Sequence, residues 1–127
     1  MAPSRKKKIA VLDADEKECQ ELCDLIKQQN YNAIPLYSLA KVEQCIRERD
    51  CIAVILDLDS VPVDNRMIRE LTIRNPEVYF LATSKDRFHP DLKDAISYHI
   101  YACLNKPVDS DELFYWLRSI YQEKVGS

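Results

Sequence analysis

Cys51-Ile52-Ala53-Val54-Ile55-Leu56 is apolar at every position and is followed at once by Asp57. A strand with one wet face alternates apolar and polar residues, whereas a strand covered on both faces of a parallel sheet does not. Working outward from this segment, shorter strand signals stand at 9–12, 32–37, 78–82 and 100–104, and Pro35 marks 32–37 as an edge strand. Between them the apolar residues keep helical spacing: Cys19, Leu22, Cys23 and Ile26; then Leu39, Val42 and Ile46 behind Ser38 as a cap; then Met67, Ile68 and Leu71. A fourth helix is expected at Pro90 with Leu92, Ala95 and Ile96 behind it. A last one carries Leu113, Trp116, Leu117, Ile120 and Tyr121, with Asp109 and Glu112 as its capping box. Five strands, each followed by a helix, predict an α/β fold: a doubly wound five-stranded parallel sheet with helices on both faces.

The chain has 127 residues, enough for one domain with a real core, here expected over about 8–124. Its 18 basic and 21 acidic residues leave a net charge of −3, which argues against a nucleic-acid-binding surface. No apolar run approaches a membrane span, and the stretch behind the basic run Arg5-Lys6-Lys7-Lys8 is too short for a signal peptide, so a soluble cytoplasmic protein is expected. The lone glycine, Gly126, excludes GxGxxG and GxxxxGK[ST] phosphate loops, which need glycine where backbone amides approach phosphate. Five cysteines, an odd count without a secretion signal, argue against a disulfide framework. Cys19 and Cys23 share the apolar helix face and read as core rather than as metal ligands.

Ligands of such sheets bind outside the carboxyl ends of the strands. There the first strand delivers Asp13 and, after Ala14, Asp15; the third delivers Asp57 and then Asp59; the fourth Thr83 and Ser84; the fifth Lys106 before Pro107. Clustered carboxylates suit a hard cation such as Mg²⁺, which also borrows oxygens from a substrate phosphate. An ammonium and a hydroxyl can neutralise the remaining phosphoryl oxygens, and phosphoryl transfer needs little more. Asp57, at the end of the most buried strand, is the candidate nucleophile. Acids after strands also serve as caps for the next helix, a role open to Asp15 and Asp64.

The motifs Ile9-Ala10-Val11-Leu12-Asp13, Val54-Ile55-Leu56-Asp57-Leu58, Leu81-Ala82-Thr83-Ser84 and Leu104-Asn105-Lys106-Pro107, in that order and spacing, resemble a response-regulator receiver domain of the CheY-like superfamily. The resemblance covers nearly the whole chain. It implies the flavodoxin-like strand order 2-1-3-4-5 and phosphorylation of Asp57 by a histidine kinase, a phosphotransfer protein or a small phosphodonor. It implies Mg²⁺ near Asp13 and Asp57 with the backbone carbonyl of Asp59 as a further ligand, Thr83 and Lys106 on the phosphoryl group, and a cis Lys106–Pro107 peptide. Such a domain is a self-phosphorylating switch rather than a turnover enzyme. It feeds a downstream output, often transcription regulation, through the face made by the fourth helix, fifth strand and fifth helix, a face that also serves homodimers.

The chain departs from the family pattern in several places. Ala14 stands where the family carries a second acid that ligates Mg²⁺; Asp15 either takes that place or caps the first helix, and a lost ligand weakens metal binding by roughly 10–100-fold or more. Asp59 adds a carboxylate that either reaches the metal or repels the donor, and Asn65 stands where glycine is usual. The switch aromatic of the fifth strand is replaced by Cys103, with Tyr101 two residues earlier and therefore expected on the same face. Phe114 and Tyr115 fall off the apolar stripe of the last helix, so exposure of one or both is expected; His89 and His99 read as surface or packing residues.

Two other functions compete with the phosphorylated switch of Thr83, Tyr101 and Cys103. One is a pseudo-receiver, a phosphorylation-independent interaction or dimerisation module, suggested by Ala14 and Cys103. The other is a phosphatase, because Asp57-Leu58-Asp59-Ser60-Val61 resembles the first motif of haloacid dehalogenases; no acidic strand motif follows Lys106, which argues against it. With no effector domain after it, the chain is expected to be a stand-alone receiver or the first part of a longer regulator.

Overall fold

The computed structural model describes residues 7–85 and 99–126, with side chains as far as Glu123. The helix expected at Pro90, His89, Arg5 and Lys6 lie outside the described residues. Five strands, β1 (Lys8–Leu12), β2 (Asn32–Leu36), β3 (Cys51–Asp57), β4 (Tyr79–Ser84) and β5 (Ala102–Asn105), pair in parallel in the order β2-β1-β3-β4-β5. This is the doubly wound order 2-1-3-4-5. Every residue of β3 is buried, as its unbroken apolar run requires. β2 lies on an edge, where Pro35 removes no interior ladder bond.

The helices are α1 (Glu16–Lys27), α2 (Val42–Arg49), α3 (Asn65–Arg74) and α4 (Ser110–Gly126). Cys19, Cys23 and Ile26 of α1 join Leu113, Leu117 and Ile120 of α4 on one face of the sheet. Val42 and Cys45 of α2 join Ile68 and Leu71 of α3 on the other. Among the described residues no helix is long and apolar enough to cross a membrane.

Acids set three of the helix starts. Asp15 accepts the Glu18 N–H at 3.1 Å, Asp64 the Met67 N–H at 2.8 Å and Asp109 the Asp111 N–H at 3.0 Å. Ser38 has the extended backbone of a cap, but its hydroxyl makes no capping bond and α2 is entered through a 3₁₀ turn at Leu39–Lys41. The turns that glycine often serves fall to Asn30 (φ 66°) and Asp50 (φ 51°), short polar residues that tolerate the left-handed region. Asn65 is not one of them; it is the first residue of α3.

One aromatic expectation is corrected. Tyr101 does not share a face with Cys103. It precedes β5 in a bend, its N–H donates to Phe80 O at 2.6 Å, and its ring packs edge-on against Tyr79 and Trp116 on the α1–α4 side, whereas Cys103 packs on the α2–α3 side. Alternation holds only inside the regular strand, which starts at Ala102. Of the pair on the last helix, Phe114 is buried and stacks on Tyr31, and only Tyr115 is exposed, at 58%.

Candidate functional site

The carboxyl ends of β1, β3, β4 and β5 converge on one cluster. The register that sets Asp57 beside Thr83 is continued by the Leu58 N–H, which donates to Thr83 O at 2.9 Å. Asp13, Asp57 and Thr83 are each only 2% exposed. Buried polar groups of this kind need partners, and Asp57 has them on both oxygens. Its Oδ1 accepts from Thr83 Oγ1 at 2.9 Å and meets Lys106 Nζ at 2.6 Å, while Oδ2 accepts the Ser60 N–H at 3.1 Å.

Lys106 is the hub. Besides Asp57 it pairs with Glu18 and, at 3.3 Å, with Asp59 Oδ2. The Lys106–Pro107 peptide is cis. Burial alone would lower the Lys106 pKa, but hydrogen bonds to Asp57, Glu18 and Asp59 and the charge of Asp57 hold it well above the ordinary lysine value. Asp59 also accepts from Ser84 Oγ at 3.2 Å and the Lys85 N–H at 2.9 Å. Those donors and Lys106 outweigh its partial burial and keep its pKa below the usual carboxylate value.

Asp13 Oδ1 accepts the Asp15 N–H at 2.9 Å and Ser60 Oγ at 3.0 Å. Burial raises its pKa; those bonds offset part of the rise, and the charges of Asp57 and Glu18 add to it. A carboxyl whose folded pKa lies above its unfolded value weakens the fold once ionised, and the penalty is relieved as pH falls. Asp13→Asn keeps an acceptor for both bonds and removes the charge. It is expected to raise Tm at pH 7 by a few degrees, with the gain shrinking as pH drops through the carboxylate range; thermal melts at pH 7 and pH 4 check it.

Asp13, Glu18 and Asp57 each place a carboxylate oxygen within 4.8 Å of the other two, a set able to hold a metal ion. Asp15 is not in this set, since its carboxylate caps α1, and Glu18 is the residue that sequence reasoning missed. Its signal was present: it is the third residue of α1, on the first turn beside the strand ends, where a glutamate behind an acidic cap reads as capping. A cleft of about 460 Å³ opens beside the cluster, lined in part by Asp13, Glu18, Thr83 and Lys106. Asp57 does not line it; two of its contacts, Thr83 and Lys106, do.

Among solved structures, the chain is similar to the signal receiver domain of an HD domain-containing protein from Pseudomonas fluorescens (20% identity, TM-score 0.83, covering 97% of this chain and all of that one). It is similar also to a CheY-like response regulator receiver domain protein from Methanospirillum hungatei (12% identity, TM-score 0.81, 94% and 97% covered). A third is a putative pilus assembly-related protein from Burkholderia pseudomallei (17% identity, TM-score 0.78, 95% and 93% covered). No family model and no curated protein matches the sequence.

Proposed function

We propose that this chain, which carries the fold of response-regulator receiver domains, is a single phosphoacceptor domain that takes a phosphoryl group on Asp57 from a histidine kinase, a phosphotransfer protein or a small phosphodonor. The observation that carries this reading is the shared hold on Asp57 Oδ1, where a largely buried ammonium and a buried hydroxyl meet one carboxylate oxygen. Asp57 would attack phosphorus as the bond to the donor's leaving group breaks, giving an aspartyl phosphate. Lys106 and Thr83 would then turn their donors to the phosphoryl oxygens. The three carboxylate oxygens of Asp13, Glu18 and Asp57 fit Mg²⁺, a hard cation that takes oxygen ligands. Asp59 would add its backbone carbonyl. Mg²⁺, when bound there, supplies neutralisation of the phosphoryl charge.

In this reading the domain is an acceptor and switch in the cytoplasm rather than a turnover enzyme. Thr83 must leave Asp57 to meet the phosphoryl group, and that change would be read by an output or partner surface. A second reading, the phosphorylation-independent interaction module, draws on Tyr101. Its hydroxyl hydrogen-bonds Ser119 at 3.0 Å and Glu123 at 3.2 Å on α4, away from Cys103, so no aromatic stands at the usual switch position. Intact-mass spectrometry after incubation with Mg²⁺ and a small acyl phosphate separates the two. The receiver gains one phosphoryl mass that Asp57→Asn lacks; an unmodified wild type that also fails to bind Mg²⁺ leaves the module.

A further inference from the structure

The other end of β3 carries a second reactive arrangement, independent of the phosphoacceptor reading. Cys45 Sγ on α2 and Cys51 Sγ at the start of β3 lie 3.7 Å apart, at 6% and 7% exposure. The turn between them is held firmly. Asp50 takes a left-handed conformation, its carbonyl accepts the Lys8 N–H at 3.1 Å, and its carboxylate pairs with Lys7 at 3.1 Å. A cleft of about 370 Å³, lined by Cys51 with Lys7, Asp50, Asn75 and Val78, reaches Cys51 at the amino end of the sheet.

We propose that Cys45 and Cys51 are an oxidisable dithiol that a hydroperoxide converts to an intramolecular disulfide across the α2–β3 turn. Two sulfurs at 3.7 Å need less than about 2 Å of closure to reach bonding distance. Cys51 gives up its thiol proton, the thiolate attacks one oxygen of hydrogen peroxide, the O–O bond breaks, and the departing hydroxide takes up that proton, leaving a sulfenic acid and water. The Cys45 thiol then attacks that sulfur, the S–O bond breaks, and a second water leaves with the remaining thiol proton. In sum two thiols lose two electrons and two hydrogens, and the peroxide is reduced to two waters.

Burial pushes the Cys51 thiol up to about 12, with Cys45 adding to the rise and Lys8 and Arg49 opposing it, so thiolate is scarce at neutral pH and the first step is slow. The second is fast, because the partner sulfur is already in place. Cys19 and Cys23 also touch through their thiols, but they are fully buried, one turn apart on a single helix, and Cys19 Sγ donates to Val11 O at 3.4 Å. The bond would fix the α2–β3 turn about 20 Å from Asp57, the length of six strand residues.

Arg47 and Arg49 lie between the two cysteines, so trypsin separates 42–47 from 50–66 unless a disulfide joins them. The full chain is treated with hydrogen peroxide under native conditions, free thiols are alkylated on unfolding, and the digest is read by mass spectrometry without reduction. The expected result is the linked pair 42–47/50–66, about 2 Da below the sum of its free peptides and at least about tenfold more abundant than any other cysteine link. It disappears on reduction and in Cys45→Ser and Cys51→Ser. Alkylation of both cysteines after peroxide, or a link that appears only in unfolded protein, would overturn the proposal.

Discussion

Lys106→Met is expected to cost about 3–5 kcal/mol of stability at pH 7, the range for removing one partner of a buried ion pair. The Lys106 side chain is 11% exposed and its ammonium is shared by Asp57, Glu18 and Asp59, so the variant leaves a buried Asp57 beside Asp13 with no cation paired to it among the described residues. Because the folded pKa of Lys106 is raised, its contribution is complete below the unfolded lysine value of about 10.4 and is lost only as pH climbs through the higher folded one. The gap between wild type and variant should therefore stay open from pH 7 to about pH 10, then close. Mg²⁺ should raise Tm more in the variant than in the wild type, by replacing the missing charge. Urea denaturation across that pH range measures the gap; an unchanged midpoint at pH 7 would mean that Lys106 does not hold the cluster together.

Glu18→Gln is expected to weaken Mg²⁺ binding by about 10–100-fold. Glutamine keeps the length and the helix but withdraws one of the three carboxylates that lie within 4.8 Å of one another. Ala14→Asp, which restores the acid that the family pattern carries after Asp13, should tighten Mg²⁺ binding and recover much of the loss when combined with Glu18→Gln. Calorimetric titration of the three variants tests both statements together. An affinity unchanged by Glu18→Gln would assign the metal to Asp13 and Asp57 without help from α1.

The frame of this site was legible in the sequence because it rests on signals that tertiary context rarely overrides. The apolar run ending at Asp57 could be covered only on both faces, and Pro35 could stand only on an edge. What the sequence left open concerned side chains whose direction a neighbour decides. Asp15 had two roles, and the α1 cap took it, because the helix leaves its first N–H groups unpaired directly beside that carboxylate. Glu18 was hidden by its place on a helix rather than after a strand; it comes to Lys106 only because α1 begins at the carboxyl end of β1. Tyr101 was misplaced because strand alternation was extended through a bend, and the hydroxyl contacts with Ser119 and Glu123 that hold it on the α4 side join residues far apart in the chain.

The most direct test of the phosphoacceptor reading is chemical mapping of the modified residue. An acyl phosphate is reduced by borohydride whereas a free carboxylate is not, so an aspartyl phosphate leaves homoserine at its position. Protein treated with Mg²⁺ and a small acyl phosphate, reduced and digested, is expected to carry homoserine at position 57 and at no other aspartate. Homoserine at position 13 or 59, or aspartate retained throughout, would contradict the assignment of Asp57 as the acceptor.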